Sequence, residues 1–530
     1  FFKQKTAYEI PKRDWSSDVC SSDLSNVTNF QNALAQSYTT NFSNTANPNE
    51  AADFNVRQFG LYAGDQWRAL PGLTLTYGIR ADITRFPQTP LANALAVTDF
   101  GYRTDVVPSP TMISPRVGFN YSLNGGGSGH PAQIRGGLGI FAGRTPYVWL
   151  SNQYGNTGVQ FTNLAVNFAA ANRLPFSADP NAQPKTIAGG LTGRQTINLI
   201  DPNYVYPEVI RGNIALDHDL GFLGLIGTGE VVFSKNLKDI YYQNINYIPS
   251  STAPDGRTIY KKFDSSLNDV MLLTNSNQGS SWMLTFKVDR PLRNGFFASG
   301  SMSYGDSKSI TDGTSSVARS NWLTTPIGLD TNNPPLTRSN YSPGGRVNLT
   351  FSVPVKLGMG FTSWASIYFN GQSGKPYTLR FNGDVNADGA TTNDIMFIPA
   401  SSDQVNVTNG TWDQLDAFLS SDPAASVSRG KIMERNIARS PWINQLDFRY
   451  AVNVPTGSKA KVELTLDILN LGNLLNKDWG WQYYPKFPSA SDLIGVTTSA
   501  GKYTYNLNTL NSATRVSTYN GVFDRSDLRS

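Results

Sequence analysis

"KVELTLDILN" (Lys461–Asn470) alternates without a break: Val462, Leu464, Leu466 and Ile468 fall on one side, Lys461, Glu463, Thr465 and Asp467 on the other. Successive side chains of a strand point to opposite faces, so this period of two predicts a strand with one apolar and one strongly polar face. The segment just before it, "NQLDFRYAV", does the same, with Leu446, Phe448, Tyr450 and Val452 opposing Gln445, Asp447 and Arg449. Further out the pattern recurs in "LTLTYGIRAD" (Leu73–Asp82), "PRVGFNYSL" (Pro115–Leu123), "LTFKVDR" (Leu284–Arg290) and "RVNLTFSV" (Arg346–Val353). The chain therefore reads as all-β. Periodicity alone leaves open whether the apolar face meets lipid or a second sheet.

The connections narrow that choice. "RALPGLTL" sets Pro71-Gly72 between two strands as a tight turn, and "SLNGGGSGHPAQIRGG" (Ser122–Gly137) is another compact reversal. By contrast, the stretches near 145–205, 306–342 and 380–440 are long and rich in Asn, Ser, Thr, Gly and Pro. Strands of about ten residues with short turns at one rim and long loops at the other match a transmembrane antiparallel β-barrel with long extracellular loops. A bilayer admits no unpaired sheet edge, and closure removes it. Composition agrees: 16% of residues are charged, 12% are aromatic and 47 are Gly, and no run approaches the roughly eighteen apolar residues of a membrane helix. The net charge of +5 is scattered, with no basic stripe for nucleic acid. A soluble all-β protein is the other reading that these features permit.

One segment stands apart. "RDWSSDVCSSDL" (Arg13–Leu24) holds the only cysteine, Cys20, and packs no face of anything. Back-translated, it resembles a common short-read sequencing adapter, and "KQKTAYEI" (Lys3–Ile10) resembles the matching outer primer. Residues 1–24 are accordingly expected to be adapter-derived rather than native, leaving 25–530 as the domain. Without Cys20 the chain carries no disulfide, thiol nucleophile or Cys-ligated metal.

Several motifs carry a family resemblance. "QFGLYAGDQWRALPGLTLTYGIRAD" (Gln58–Asp82) resembles the strand, turn and strand of TonB-dependent outer-membrane receptors, and "ISPRVGFNYSL" with "IRGGLGIFAGRTP" resembles their next hairpin. "ARSPWINQLDFRYAVNVP", "VELTLDILNLGNLLNKDWG" and "FNGQSGKPYTLRFNGDVNADGATTNDIMFIP" resemble the Oar-like branch. The resemblance implies part of a plugged barrel of about 22 strands, truncated at both ends, with the plug, coupling box and last strand absent. It also implies location in the outer membrane of a Gram-negative bacterium. The implied activity is uptake of an unknown ligand, driven by TonB and its inner-membrane energising complex. The partners would be that complex, the ligand and the lipid bilayer. A passive barrel or surface adhesin without energy coupling is the alternative.

Candidate sites are few. "DVNADGATTND" places Asp384, Asn386 and Asp388 at the first, third and fifth positions of a calcium loop with Gly389 at the sixth. At the twelfth stands Ile395, with Asp394 one residue early. Calcium and an ordinary Asn/Asp/Gly turn are both open readings; no other cofactor is suggested. His130 and His218 are the only histidines and lie far apart, which argues against a catalytic triad or zinc site, and no enzyme is expected. Asp447, Arg449, Glu463 and Asp467 read as a structural network of a polar lumen or a plug contact, in preference to an acid–base pair. Trp479, Trp481, Tyr483 and Tyr484 in "DWGWQYYP" read as an interfacial aromatic belt, with a ligand-stacking platform as the alternative. Thr411 with Gln414 three residues on predicts a capping box, opening a short helix whose Trp412, Leu415 and Leu419 share a face. The long loops are the expected ligand-binding elements, with no single residue nominated.

Overall fold

The computed structural model describes residues 21–23 and most of 27–527; outside it fall 1–20, 24–26, 124–128, 144–145, 168–173, most of 176–193, 457–459, 477–478, 487–489, 514–521, 528–530 and scattered single positions. Cys20 and most of the adapter-like segment lie outside the described residues. Ser21–Asp23 forms a short strand paired with Ser37–Thr39.

Twelve strands run up and down in chain order as one antiparallel wall. They are β1 (Arg57–Leu70), β2 (Leu73–Arg85), β3 (Thr111–Ser122), β4 (Ala132–Ala142), β5 (Glu208–Asp219) and β6 (Ile226–Asn244). There follow β7 (Ser280–Arg293), β8 (Phe296–Ser309), β9 (Gly344–Lys356), β10 (Thr362–Gln372), β11 (Ile443–Val454) and β12 (Val462–Ile468). Each of the six segments whose alternation was legible lies in or across one of these strands. Among the described residues no ladder joins β1 to β12.

Register keeps each face continuous. Leu73, Tyr121, Ile134, Leu216, Gly229, Phe286, Met302 and Val347 stand side by side across eight strands. Phe351, Ile367, Phe448 and Ile468 complete the same face across the last four. Offset by one residue, Gln133, Asp217, Thr228, Lys287, Ser301, Asn348, Asn370 and Gln445 form an equally unbroken polar row. Among the described residues no second sheet covers the apolar side: Phe286 is 58% exposed, Met302 60%, Leu349 50% and Leu464 61%. Apolar area left open on this scale is a membrane surface, far beyond the patch a water-soluble protein exposes.

The connections alternate as expected. Residues 71–72, 220–225, 294–295 and 357–361 are short, and 86–110, 143–207, 245–279, 310–343 and 373–442 are long. Two of those long connections, 86–110 and 245–279, went unrecognised in the sequence. Gly72 shows why the short rim is tight: its φ is +80°, and a Cβ there would sit 2.8 Å from the Ser122 carbonyl oxygen.

The buried core lies in the long connections, not in the wall. One cluster gathers Tyr377, Phe381, Ile395, Leu415 and Leu419 with Ile494, Tyr503, Tyr505 and Phe523 from beyond β12. A second packs Leu150, Tyr204, Met271 and Trp322 onto Ile240 and Tyr242 at the end of β6. A third joins Ala96, Ile197 and Leu199 to Val270 and Leu272. Together they make a canopy over one rim. β6 spans 19 residues, nearly twice the nine to eleven or so that a bilayer needs, and its last residues, Asp239–Asn244, pair with Met271–Ser276 inside the canopy. The capping-box helix runs Trp412–Ser421 with both arms of the box formed, Thr411 Oγ1 accepting from Gln414 N and Gln414 Oε1 from Thr411 N.

Candidate functional site

The polar face of the wall carries a ladder of charges. Arg135 Nε donates to Asp217 at 2.9 Å and its Nη1 lies 3.6 Å from Glu230. Thr228 Oγ1 donates to Asp217 at 2.7 Å, and Lys287 Nζ lies 2.6 Å from Asp289. Of the residues expected to form a network, Arg449 and Asp467 meet at 3.6 Å, both about half exposed. Asp447 instead accepts from Gln445 Nε2 and from the Asn470 amide, and Glu463 sits opposite Asn453 in register. Pairs so exposed hold the chain by less than about 1 kcal/mol each; their effect is to keep this face wet.

The canopy holds a half-open polar cavity of about 470 Å³. The helix Tyr147–Gly155 and the turn after it bring Asn152, Asn156 and Gly158; the antiparallel pair of Ser37–Ser43 with Phe161–Asn167, distant in the chain, brings Asn41 and Asn163. The strand Gln195–Ile200 supplies Thr196 and Asn198, with Arg194 just ahead of it. The 245–279 connection contributes Tyr247, Lys262 and Asp269, and the helix Ala318–Leu323 contributes Arg319. The Arg319 Nε–Asp269 contact is 2.7 Å, and Lys262 Nζ donates to the Leu267 carbonyl at 2.8 Å. Burial pulls the Lys262 ammonium below its ordinary value; Asp269 opposes that, and Arg194 and Arg319 add to it. Sequence reasoning named three of the contributing stretches, 145–205, 306–342 and 380–440, but of the lining residues only Gly389. The available signal was the density of Asn in "LSNQYGN", "FTNLAVN" and "TINLID".

The acidic loop lies beside this cavity, with Gly389 on its lining. Asp384 accepts from the amides of Asn386, Ala387 and Gly389 at 3.2, 2.6 and 2.9 Å. Asp388 is fully buried and accepts from Thr331 Oγ1, Asn386 Nδ2 and Asn393 Nδ2. Asp394 meets Arg257 Nη1 at 2.8 Å and the Val385 amide at 3.0 Å. Burial pushes the Asp394 carboxyl up to about 7, opposed by Arg257. The four residues are thus neighbours whose oxygens face N–H and O–H donors and one guanidinium. Among the described residues no three His, Cys, Asp or Glu side chains gather as a metal group.

The aromatic motif divides. Trp479 is 51% exposed, whereas Trp481–Tyr484 is a strand paired with Asp524–Asp527, and Tyr483 packs against the first canopy cluster. His130 lies at the short rim, 3.8 Å from Asp219, and His218 sits within β5 opposite Gly227.

The sequence matches the family described as "Outer membrane beta barrel domain" over residues 16–502. No curated protein matches it. Among solved structures, the outer membrane transporter YddB of Escherichia coli is 11% identical, with a TM-score of 0.44 over 85% of this chain and 43% of that one. A mutant of the ferric enterobactin receptor PfeA of Pseudomonas aeruginosa is 11% identical, with a TM-score of 0.40 over 82% and 45%. The FrpB iron transporter of Neisseria meningitidis is 9% identical, with a TM-score of 0.40 over 83% and 42%. The chain spans less than half the length of each.

Proposed function

We propose a function from one premise: the chain belongs to the outer membrane beta barrel domain family and resides in the bacterial outer membrane. On that premise the protein is a receptor and transporter, not an enzyme. Its canopy captures a ligand, which then passes through a plugged lumen on energy delivered by TonB and the inner-membrane complex. The observation that carries this reading is the canopy itself, in which long connections bury three cores and line a polar cavity. A barrel serving only as wall or pore has no need of such a structure, because loops carry specificity when a rigid scaffold holds them. The motif resemblance supports the finer proposal of an Oar-like receptor whose complete barrel has about 22 strands. No nucleic acid enters the scheme. The alternative is a passive barrel or adhesin that displays the same canopy without energy coupling.

Sequencing the source DNA outward across the Leu24/Ser25 junction tests the reading. An in-frame plug and coupling box upstream supports transport, and a barrel strand or adhesive repeat in their place supports the alternative. The same experiment tests the proposal that residues 1–24 are adapter-derived: persistence of "RDWSSDVCSSDL" in native DNA makes Cys20 real. Two narrower proposals stand on spacing and composition. Calcium at Asp384, Asn386, Asp388 and Asp394 would have to displace the donors those oxygens now hold, and a calorimetric titration without heat rejects it. Trp479, Trp481, Tyr483 and Tyr484 as a membrane belt requires quenching of their fluorescence by brominated lipid.

A further inference from the structure

The cavity lining carries more positive than negative charge. Arg194, Lys262 and Arg319 all line it, and among the described lining residues Asp269 is the only carboxylate. Asp269 is already committed: Oδ2 accepts from Arg319 Nε and Oδ1 accepts from Asn244 Nδ2, both at 2.7 Å. Lys262 donates to a neutral carbonyl, and Arg194 makes no ion pair with any described residue. Arg194 and Lys262 thus share the lining without a carboxylate partner among the described residues, Lys262 Nζ lying 5.7 Å from the centre of the Tyr247 ring. Like charges on one lining repel, and Arg194 and Arg319 both act on Lys262 in that sense. An anion between them reverses the sign of that interaction.

The rest of the lining has a different character. Asn41, Asn152, Asn156, Asn163, Asn198 and Asn268 present six amides to the same cavity. An amide carries both donors and an acceptor, which a hydroxyl can meet in either sense; here Asn152, Asn163, Asn198 and Asn268 already donate from Nδ2 within the protein, and among the described residues the oxygens of Asn163, Asn198 and Asn268 take up no donor. Asn198 is 6% exposed and its Oδ1 has no partner among the described residues, an acceptor left for a donor that the protein does not supply. A volume of about 470 Å³ suits a small molecule of one or two rings.

We infer that this pocket binds a sugar acid, its carboxylate paired with Arg194 and Lys262 and its hydroxyls met by the asparagine amides. As a transported substrate this rests on the receptor reading; as a binding site it stands on the lining alone. The test is calorimetry on the full chain in detergent, with canopy folding verified by resistance to limited proteolysis. The probes are digalacturonate, the neutral disaccharide of galactose, and galactose 6-phosphate. Digalacturonate is expected to bind at least tenfold more tightly than the neutral sugar. Arg194→Gln and Lys262→Gln are each expected to weaken it by roughly tenfold, the usual loss for one charged hydrogen bond. Equal binding of acidic and neutral sugars, affinity unchanged in both variants, preference for the phosphate, or no binding by protease-resistant protein each overturns the inference. None of those outcomes touches the outer-membrane assignment, and an uptake assay that fails while digalacturonate binds would remove the transport reading and leave the site.

Discussion

Arg257 shows what a single residue does in this protein. Its side chain is fully buried, with Nε and Nη2 on Asp255, Nη1 on Asp394 and Nη2 also on the Ile395 carbonyl, and its guanidinium lies 5.7 Å from the centre of the Phe381 ring. Burying a cation is costly unless opposite charge and hydrogen bonds meet it. Here both are present, and the cluster ties the 253–257 turn to the acidic loop. Arg257→Met leaves buried carboxylates unmatched and is expected to cost about 3–5 kcal/mol, read as loss of protease resistance in the canopy. The pH dependence has a definite sign. Burial, opposed by Arg257, raises the folded-state value of Asp394 to about 7, above the ordinary carboxylate value. Between about pH 4 and that value the folded state holds the extra proton, so stability from this group is complete at the acidic end and is lost as pH rises through 7. The canopy should therefore resist protease better at pH 5 than at pH 8, and Asp394→Asn should flatten that difference. A difference equally large in the variant would assign it to other groups. None of this was legible beforehand. The spacing of Asp384, Asn386 and Asp388 was visible, but Arg257 is far away in sequence and no local pattern announces it.

At the scale of elements, the wall strands and the capped helix were readable because their signals are local. Thr411 and Gln414 are three residues apart, and Leu415 and Leu419 are one turn apart and fully buried. Leu415→Ala is expected to cost about 2–5 kcal/mol through the lost contacts and the cavity left. Thr411→Ala should cost about 1 kcal/mol, since only one amide of the helix start loses its acceptor. Melting of the purified chain that ranks the two variants in the opposite order would place the helix outside the core. The strands Ala490–Ser499 and Lys502–Asn506 were not anticipated. Ala490 pairs in parallel with Thr378, and Tyr503 with Val405, each about a hundred residues away, and such pairing leaves no signature in either segment alone.

For the whole molecule, the decisive contrast lies between adjacent residues. Leu349 stands on the exposed apolar face and Asn348 on the polar face, beside Ser301 and Asn370. In a bilayer, Leu349→Arg should cost roughly 2–4 kcal/mol near the midplane, whereas Asn348→Arg should be tolerated. In water an exposed Leu→Arg change is close to neutral, so refolding into lipid vesicles distinguishes the two environments; equal stability of the two variants would contradict the membrane wall. The sequence by itself determined that Lys461–Asn470 and its counterparts are two-faced strands, that tight turns alternate with long loops, and where the capped helix begins. Those properties depend on neighbours within a few positions, so a period or a cap is enough to reveal them. Only the tertiary structure decided that among the described residues no second sheet covers the apolar face, that residues from 96 to 523 pack into the three cores of the canopy, and that Arg194, Lys262 and Arg319 line the same cavity. These depend on contacts between distant segments, and hydrophobic packing and charge act through space without regard to chain order.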